Sequence, residues 1–265
     1  MKKQYIIPIF IPSISNSNDY IFGNLISIKE QVKQINKEDV KKIIEEHLKY
    51  VKEGSKVEIG FFGGSFGELD EEKQKELLLE AYEYIKLGKT DSIRISVKPN
   101  NINKKFLKRL KKYKVKTIEL EVQSSNDYIL KKSGNDYTFD DVKKASRLIR
   151  LHGFTLGHQM MVGLPESTNL DEINTAKQLI KLKPKMVRIY PVLVIKNTKL
   201  EKDYNEGKYK ALTLVQAVET CKELVKLFAK KNIEVIRIGN QSADTTNESV
   251  IEKSKVVART ISSSI

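Results

Sequence analysis

The sequence predicts an α/β protein with a parallel sheet, and three observations support this fold class. Six short runs of apolar and β-branched residues are typical of strands. Helical patterns of apolar residues separate these runs, so that strand–helix units follow one another and favour right-handed parallel crossovers. No linker rich in proline, glycine or serine divides the chain, so we expect a single domain over residues 1–265.

The elements follow in regular order. The predicted strands are Tyr5–Ile11, Lys56–Phe62, Ser92–Val97, Thr117–Val122, Thr155–Val162 and Val187–Val194, with a seventh, Ile233–Ile238, after the last helix. The predicted helices are Lys37–Val51, Glu71–Ile85, Lys104–Lys112, Phe139–His152, Leu170–Leu182 and Leu214–Lys231. Asp70 is suited to cap the second helix and Gly88 to end it, and Gly153 follows the fourth helix where glycine is favoured.

This pattern fits either a doubly wound sheet or an open, partial barrel. In both folds, ligand-binding residues follow the carboxyl ends of the strands. Candidate site residues are therefore expected there.

Composition narrows the class of protein. Hydrophobic residues make up 40% and charged residues 31% of the chain, as in ordinary globular proteins. No run approaches the roughly 18 apolar residues of a membrane span, and the basic N-terminus soon meets Pro8 and Pro12 without a signal-peptide cleavage pattern. We therefore expect a cytoplasmic protein that does not cross a membrane. One cysteine, Cys221, excludes an internal disulfide and any multi-cysteine metal site.

The formal net charge of +14 permits binding to tRNA or another polyanion. Basic residues are spread along the sequence rather than gathered into one tract. This spread favours lysines that solvate the helix surfaces over a dedicated binding segment.

Several strand ends carry residues suited to a ligand site. Gly63-Gly64-Ser65 follows the second strand, and paired glycines allow close approach of backbone to a ligand or a turn. Glu119, Glu121 and Gln123 share one face of the fourth strand, and Gln159 lies on the fifth. The two glutamates could form a carboxylate pair with perturbed pKa values, although a lysine or arginine partner for each inside the barrel is favoured.

These segments, taken in order, resemble one branch of the radical S-adenosylmethionine superfamily. That branch includes the elongator catalytic subunit and proteins similar to oxygen-independent coproporphyrinogen oxidase. The matching segments are Pro8–Pro12, Phe61–Phe66, Ser92–Ser96, Lys116–Leu120, Val122–Ser124, Gln159–Pro165, Arg188–Val192, Thr213–Glu219 and Val235–Gly239. The resemblance implies an open six-unit (βα) barrel with a short C-terminal strand extension. It also implies that a remnant of the cofactor pocket would involve Gly63, Gly64, Ser65, Ser96, Gln123, Gln159 and Tyr190.

The cysteine loop of that family is not preserved. Active members hold a [4Fe–4S] cluster through a CxxxCxxC motif after the first strand, because such clusters require thiolate ligands. Alignment on the flanking residues places Asn16, Tyr20 and Gly23 at the three cysteine positions. We therefore expect no cluster, no metal ligand and no radical chemistry in this chain.

Two further departures affect the methionine end of the cofactor pocket. Glu121 replaces the glycine that commonly precedes Val-Gln-Ser, which adds a negative charge near the expected methionine carboxylate. Asn135 follows Ser133-Gly134 where the family often has an arginine, so a bidentate carboxylate clamp is missing. Binding of S-adenosylmethionine is therefore not expected, although the fold would allow it.

The remaining reactive side chains are expected to be structural. Cys221 lies in the apolar stripe of the last helix and should be a core thiol. His158 faces away from Gln159 and should pack beneath a helix. The other expected packing or surface residues are His47, His152, Met160 and Met161.

Three hypotheses of function follow. The first is a non-catalytic relative that binds a nucleotide-like ligand, RNA or a protein partner through the barrel mouth. The second is an active, possibly tRNA-directed radical enzyme whose cluster ligands have been altered in this sequence; it would cleave S-adenosylmethionine to the 5′-deoxyadenosyl radical. The third is a barrel that performs non-radical chemistry around Glu119, Glu121 and Gln159.

Overall fold

The computed structural model describes residues 4–12 and 35–239, and within them seven strands form one parallel sheet. The strands are β1 (Gln4–Ile11), β2 (Lys56–Gly63), β3 (Ser92–Val97), β4 (Val115–Gln123), β5 (Thr155–Val162), β6 (Met186–Pro191) and β7 (Glu234–Ile238). Their order across the sheet is their order in the sequence. A doubly wound sheet reverses its strand order at one point, so this order indicates the barrel.

Side-chain contacts across the concave face show how strongly the sheet curls. Adjacent strands lie about 4.8 Å apart, so β2 and β6 would be about 19 Å apart in a flat sheet. The guanidinium of Arg188 on β6 nevertheless lies 4.9 Å from the ring centre of Phe62 on β2. The expected open α/β barrel is confirmed, with the seventh strand as part of the sheet.

The helices of the described chain are α1 (Lys37–Leu48), α2 (Glu71–Lys86), α3 (Lys104–Lys112), α4 (Asp127–Lys132), α5 (Phe139–Leu151), α6 (Asn169–Lys181), α7 (Lys199–Asn205) and α8 (Leu214–Ala229). The six longer helices cover the convex face, and the two short ones, α4 and α7, lie in the connections after β4 and β6. None of these helices is both long enough and apolar enough to cross a membrane.

The main core lies between the sheet and these helices. Alternate strand residues such as Ile7, Ile59 and Ile93 are fully buried there and meet helix residues that include Ile44 and Leu77. Each such side chain contributes about 1.5–3 kcal/mol by leaving water. The concave face is therefore left to the polar strand residues described below.

The helix ends follow the sequence signals. Asp70 caps α2, because its Oδ1 accepts a hydrogen bond from the Lys73 N–H at 2.7 Å. Gly88 (φ +68°) and Gly153 (φ +77°) follow α2 and α5 in the left-handed conformation that glycine adopts most readily.

Two expectations about elements require correction. The sixth strand ends at Pro191 rather than Val194: the Val192 N–H still donates to the Val162 carbonyl at 2.9 Å, and the chain then leaves the sheet. Val192 and Val194 instead pack with Leu200 in a separate small cluster. Helices α4 and α7 were not predicted, because six and seven residues are too short to show a helical period.

Candidate functional site

Four charged side chains from β2, β3, β4 and β6 fill the lower part of the concave face. Arg94 donates to Glu58 (Nε to Oε2, 2.8 Å) and to Glu119 (Nη1 to Oε1, 2.5 Å). Arg188 donates to the same Glu119 through Nε (2.6 Å to Oε2) and Nη2 (3.1 Å to Oε1). All four are at most 3% exposed. We call Glu58, Arg94, Glu119 and Arg188 the ion-pair network.

The network remains charged despite its burial. Burial alone raises the pKa of a carboxyl group. The guanidiniums of Arg188 and Arg94 outweigh this effect and hold the pKa of Glu119 below its ordinary value. The prediction that Glu119 has a basic partner inside the barrel, rather than a second carboxylate, is thus confirmed. Both of its carboxylate oxygens accept hydrogen bonds from arginines within the protein.

A second polar layer lies above the network, toward the carboxyl ends of the strands. Gln159 Nε2 donates to Glu119 Oε2 at 2.9 Å and to Ser96 Oγ at 3.1 Å. Ser96 in turn donates to Glu121 Oε1 at 3.3 Å. Three of the predicted site residues, Ser96, Glu121 and Gln159, are therefore in one hydrogen-bonded chain.

Glu121 lies at the end of the barrel formed by the carboxyl ends of the strands, which we call the barrel mouth. The charged groups of Lys98, Glu68 and Asp136 influence it there. Burial raises its pKa to about 7, the carboxylates of Glu68 and Asp136 act in the same direction, and Lys98 opposes them. Lys98 Nζ lies 2.5 Å from Glu68 Oε1 and 3.9 Å from Asp136 Oδ1. A carboxyl group with this pKa exchanges a proton near neutral pH, as a general acid or base does.

Gly63, Gly64 and Ser65 hold two loops together. Gly63 has φ +92°, and a Cβ on it would lie 2.5 Å from the carbonyl oxygen of Ile11. The Gly64 N–H donates to that carbonyl at 2.7 Å. Ser65 Oγ accepts from the Lys98 N–H at 2.8 Å. Close approach of β2 to β1 therefore requires glycine at position 63.

Gln123 and Asn135 meet each other. Gln123 has φ +58°, and its Oε1 accepts a hydrogen bond from Asn135 Nδ2 at 2.8 Å. The position at which the family often has an arginine is thus occupied by an amide that bonds within the protein.

Tyr190 lies on β6 beside the ion-pair network. It is half-buried, and burial raises the pKa of its hydroxyl to about 12. It therefore stays protonated at neutral pH.

The histidines behave as expected for structural residues. His158 Nε2 lies 2.9 Å from Ser146 Oγ on α5, and burial lowers its pKa to about 3. His47 contacts the hydroxyl of Tyr5, and His152 contacts a carbonyl of its own helix. Met160 is fully buried in the core, whereas Met161 is half-buried beside the small cluster that contains Val192.

Sequence reasoning missed two buried charged residues near the strand ends, Lys98 and Glu172. Lys98 follows Arg94 and Ser96 at every second position along β3. It could therefore have been recognised as a third residue on the concave face of that strand. Glu172 of α6 accepts hydrogen bonds from the Gly163 N–H at 2.5 Å and from Ser167 Oγ at 3.2 Å, while Tyr209 donates to the Gly163 carbonyl at 2.8 Å. No sequence signal links Glu172 to Tyr209.

The donors of the chain do not fit a [4Fe–4S] cluster. The only cysteine of the sequence, Cys221, is fully buried in the core on α8. Burial raises the pKa of its thiol to about 12, which disfavours the thiolate that a cluster needs. The positions equivalent to the family's cysteines, Asn16, Tyr20 and Gly23, lie outside the described residues.

Known relatives match this chain in several ways. A tRNA uridine(34) acetyltransferase of Methanocaldococcus jannaschii is 30% identical over 128 residues, which are 47% of this chain and 24% of that protein. An uncharacterized protein of the same organism is 29% identical over 233 residues, 86% of this chain and 70% of that protein. The chain thus spans about a quarter of the acetyltransferase it matches.

A solved structure supports the fold. The Elp3 of the archaeon Methanocaldococcus infernus superposes with a TM-score of 0.73 at 21% identity, over 94% of this chain and 59% of that one. The Radical SAM C-terminal domain model matches residues 184–259. The Radical SAM superfamily model matches residues 19–179, more than half of the sequence. The chain belongs to the radical SAM superfamily.

Proposed function

We propose that this protein is a non-catalytic member of the superfamily that binds RNA. The non-catalytic assignment rests on one observation: the cysteines that would hold the cluster are missing. The segment between β1 and α1, residues 12–36, contains no cysteine, and Cys221 lies in the core. A chain without three thiolates cannot hold the cluster in the family's manner.

The barrel mouth supports the same proposal. Glu121 accepts from Ser96, and Asn135 donates to Gln123, so the two departures from the family pattern are integrated into the protein's own contacts. A carboxylate added beside Glu121 and Glu68 would meet repulsion in a partly buried site. Binding of S-adenosylmethionine through its methionine carboxylate is therefore disfavoured.

RNA is the partner best supported by the relatives and the charge. The acetyltransferase relatives are named for their action on tRNA uridine 34. The net charge of +14 supplies the sequence-independent attraction that dominates binding to a phosphate backbone.

Anaerobic reconstitution with iron and sulfide tests the non-catalytic assignment. We expect the repurified protein to carry no stoichiometric iron and no charge-transfer absorbance in the visible region. A stoichiometric [4Fe–4S] spectrum would overturn the assignment and favour an active radical enzyme.

Calorimetric titration tests the ligands. We expect measurable heat with a tRNA transcript and none with S-adenosylmethionine. Heat with S-adenosylmethionine alone would instead support a nucleotide-like ligand at the mouth. No heat with either ligand would contradict RNA binding and would leave binding to a protein partner as the remaining form of the hypothesis.

A second candidate function rests on Glu121. Its pKa of about 7, its contact with Ser96 and its proximity to Lys98 suit acid–base chemistry at the mouth. If the protein has such an activity, Glu121→Gln should abolish it while Glu206→Gln, at an exposed site, leaves it unchanged. Activity that survives Glu121→Gln would exclude this candidate.

A further inference from the structure

The charge of this protein is concentrated at one end of the barrel. The strands are parallel, so their starting residues and the helix ends that lead into them lie along the same edge of the sheet. We define the basal rim as residues 49–56, 86–91, 111–116, 150–154, 181–185 and 229–234. It carries three acidic residues, Glu53, Asp91 and Glu234, and fifteen basic ones: Lys49, Lys52, Lys56, Lys86, Lys89, Lys111, Lys112, Lys114, Lys116, Arg150, Lys181, Lys183, Lys185, Lys230 and Lys231.

The rim accounts for most of the protein's net charge. Its net charge is +12, compared with +14 for the whole sequence. At the opposite end, the connections that the structure describes after β2 to β6, residues 64–70, 98–103, 124–138, 163–168 and 192–213, contain eight basic and eight acidic residues. Lysines that merely solvate a protein would not be expected to separate in this way.

The rim cations are available to a partner. All fifteen are exposed. In the described part of the chain, two of them have ion-pair partners, Lys49 with Glu46 and Lys86 with Glu83. Within residues 4–12 and 35–239, the other thirteen therefore have no ion-pair partner.

Helix dipoles explain only part of this arrangement. Basic residues are favoured in the last turn of a helix, which accounts for residues such as Lys86 and Lys181. Lys52, Lys116 and Lys185 lie beyond the helix ends, in connections or at strand starts. The dipole effect falls off within the last turn, so it does not account for them.

We propose that the basal rim is the surface on which this protein binds the phosphate backbone of RNA. The inference rests on the proposed RNA-binding function and adds its location, at the end of the barrel opposite the mouth. Seven strands at about 4.8 Å spacing give the rim a contour of about 30 Å, long enough to contact several phosphates. Three large apolar side chains at this end, Tyr50, Leu87 and Leu151, are exposed singly in different connections, so the rim lacks the continuous apolar surface of a membrane anchor.

The test compares two triple variants that remove the same charge. Lys52, Lys116 and Lys185 are changed to Gln in the rim variant; Lys131, Lys196 and Lys210, at the opposite end, are changed to Gln in the control. All six side chains are exposed, so both variants should keep the wild-type circular dichroism and Tm. The probe is a fluorescein-labelled tRNA transcript, and its affinity is measured by anisotropy over a range of salt concentrations.

We expect the rim variant to bind the transcript at least about tenfold more weakly. The slope of log affinity against log salt should fall by about one for each phosphate that the variant no longer neutralises. The control should change affinity less than about threefold.

Three outcomes would contradict parts of this proposal separately. Equal weakening by both variants, or none by the rim variant, would overturn the rim as the binding surface while RNA binding itself stands. Binding to phosphatidylserine vesicles that the rim substitutions abolish, without binding to the transcript, would overturn the RNA assignment. A reconstituted cluster would contradict the non-catalytic assignment but not the rim.

Discussion

Arg188 binds Glu119 with two parallel hydrogen bonds, Nε to Oε2 at 2.6 Å and Nη2 to Oε1 at 3.1 Å. The pair joins β6 to β4 across the intervening β5 on the concave face. Because Arg94 donates to the same carboxylate from β3, one buried side chain connects three strands. The ion-pair network is therefore a structural element of the barrel rather than a free acid–base group.

Glu119→Gln should destabilise the protein strongly. The change leaves two buried guanidiniums without their shared carboxylate, and breaking a buried pair in this way costs about 3–5 kcal/mol. Urea unfolding measured at pH 7 gives the free energy. As a control, Glu206→Gln removes an exposed partner of Lys208 and should leave the midpoint almost unchanged. Equal small effects from both variants would show that the network is dispensable.

Glu121 should make stability depend on pH in a defined direction. Its pKa in the folded protein is about 7, above the ordinary value of 4.5, so the folded state holds the proton more tightly than the unfolded state. The stability from this proton is complete below about pH 4.5 and is lost as pH rises through about 7. Urea unfolding of the wild type and of Glu121→Gln is measured from about pH 4.5 to 8. As pH rises over this range, the free energy of unfolding of the wild type should fall relative to that of the variant, which has no carboxyl group to ionise at this position. A flat difference would contradict the raised pKa.

Gly163→Ala should cost more than Gly207→Ala. Both glycines have positive φ, +84° and +73°, which costs an alanine about 1–2 kcal/mol. A Cβ on Gly163 would also lie 2.6 Å from Leu212 Cδ1, whereas one on Gly207 meets nothing within 4 Å. Overpacking at the first position should add about 1–3 kcal/mol. Thermal unfolding of the two variants provides the comparison, and equal Tm values would argue against tight packing at Gly163.

Cys221 should resist modification in the native protein. Its side chain is fully buried and its pKa is raised to about 12, so almost no thiolate is present at neutral pH. Iodoacetamide should leave the native mass unchanged over an hour and add one group in urea. Rapid native labelling would indicate that α8 opens from the core.

The sequence was sufficient for the sheet because its signals are local and repeated. Alternation of strands and helices, the cap at Asp70 and the glycine after α5 each arise from short-range rules, and the structure confirms them. The packing of His158 under α5 also followed from strand period alone.

The arrangement of the site was harder to foresee because it depends on contacts between distant residues. Glu119 and Arg188 are 69 positions apart, and the curl that brings them together is not encoded in either strand by itself. The paired glycines at 63 and 64 invited a ligand-binding interpretation, and the structure accounts for Gly63 by the approach of the Ile11 carbonyl. The basal rim was obscured because its lysines are scattered along the sequence and meet only when the parallel strands align.

The separation of charge between the rim and the mouth gives the described barrel an electric dipole along its strands. In the field of a polyanion such a molecule rotates before it touches, so that productive encounters begin with the strand starts facing the phosphates. The mouth, with Glu121 and Lys98, then faces outward into solvent. A protein oriented in this way could dock on RNA with one end while presenting the other to a second molecule.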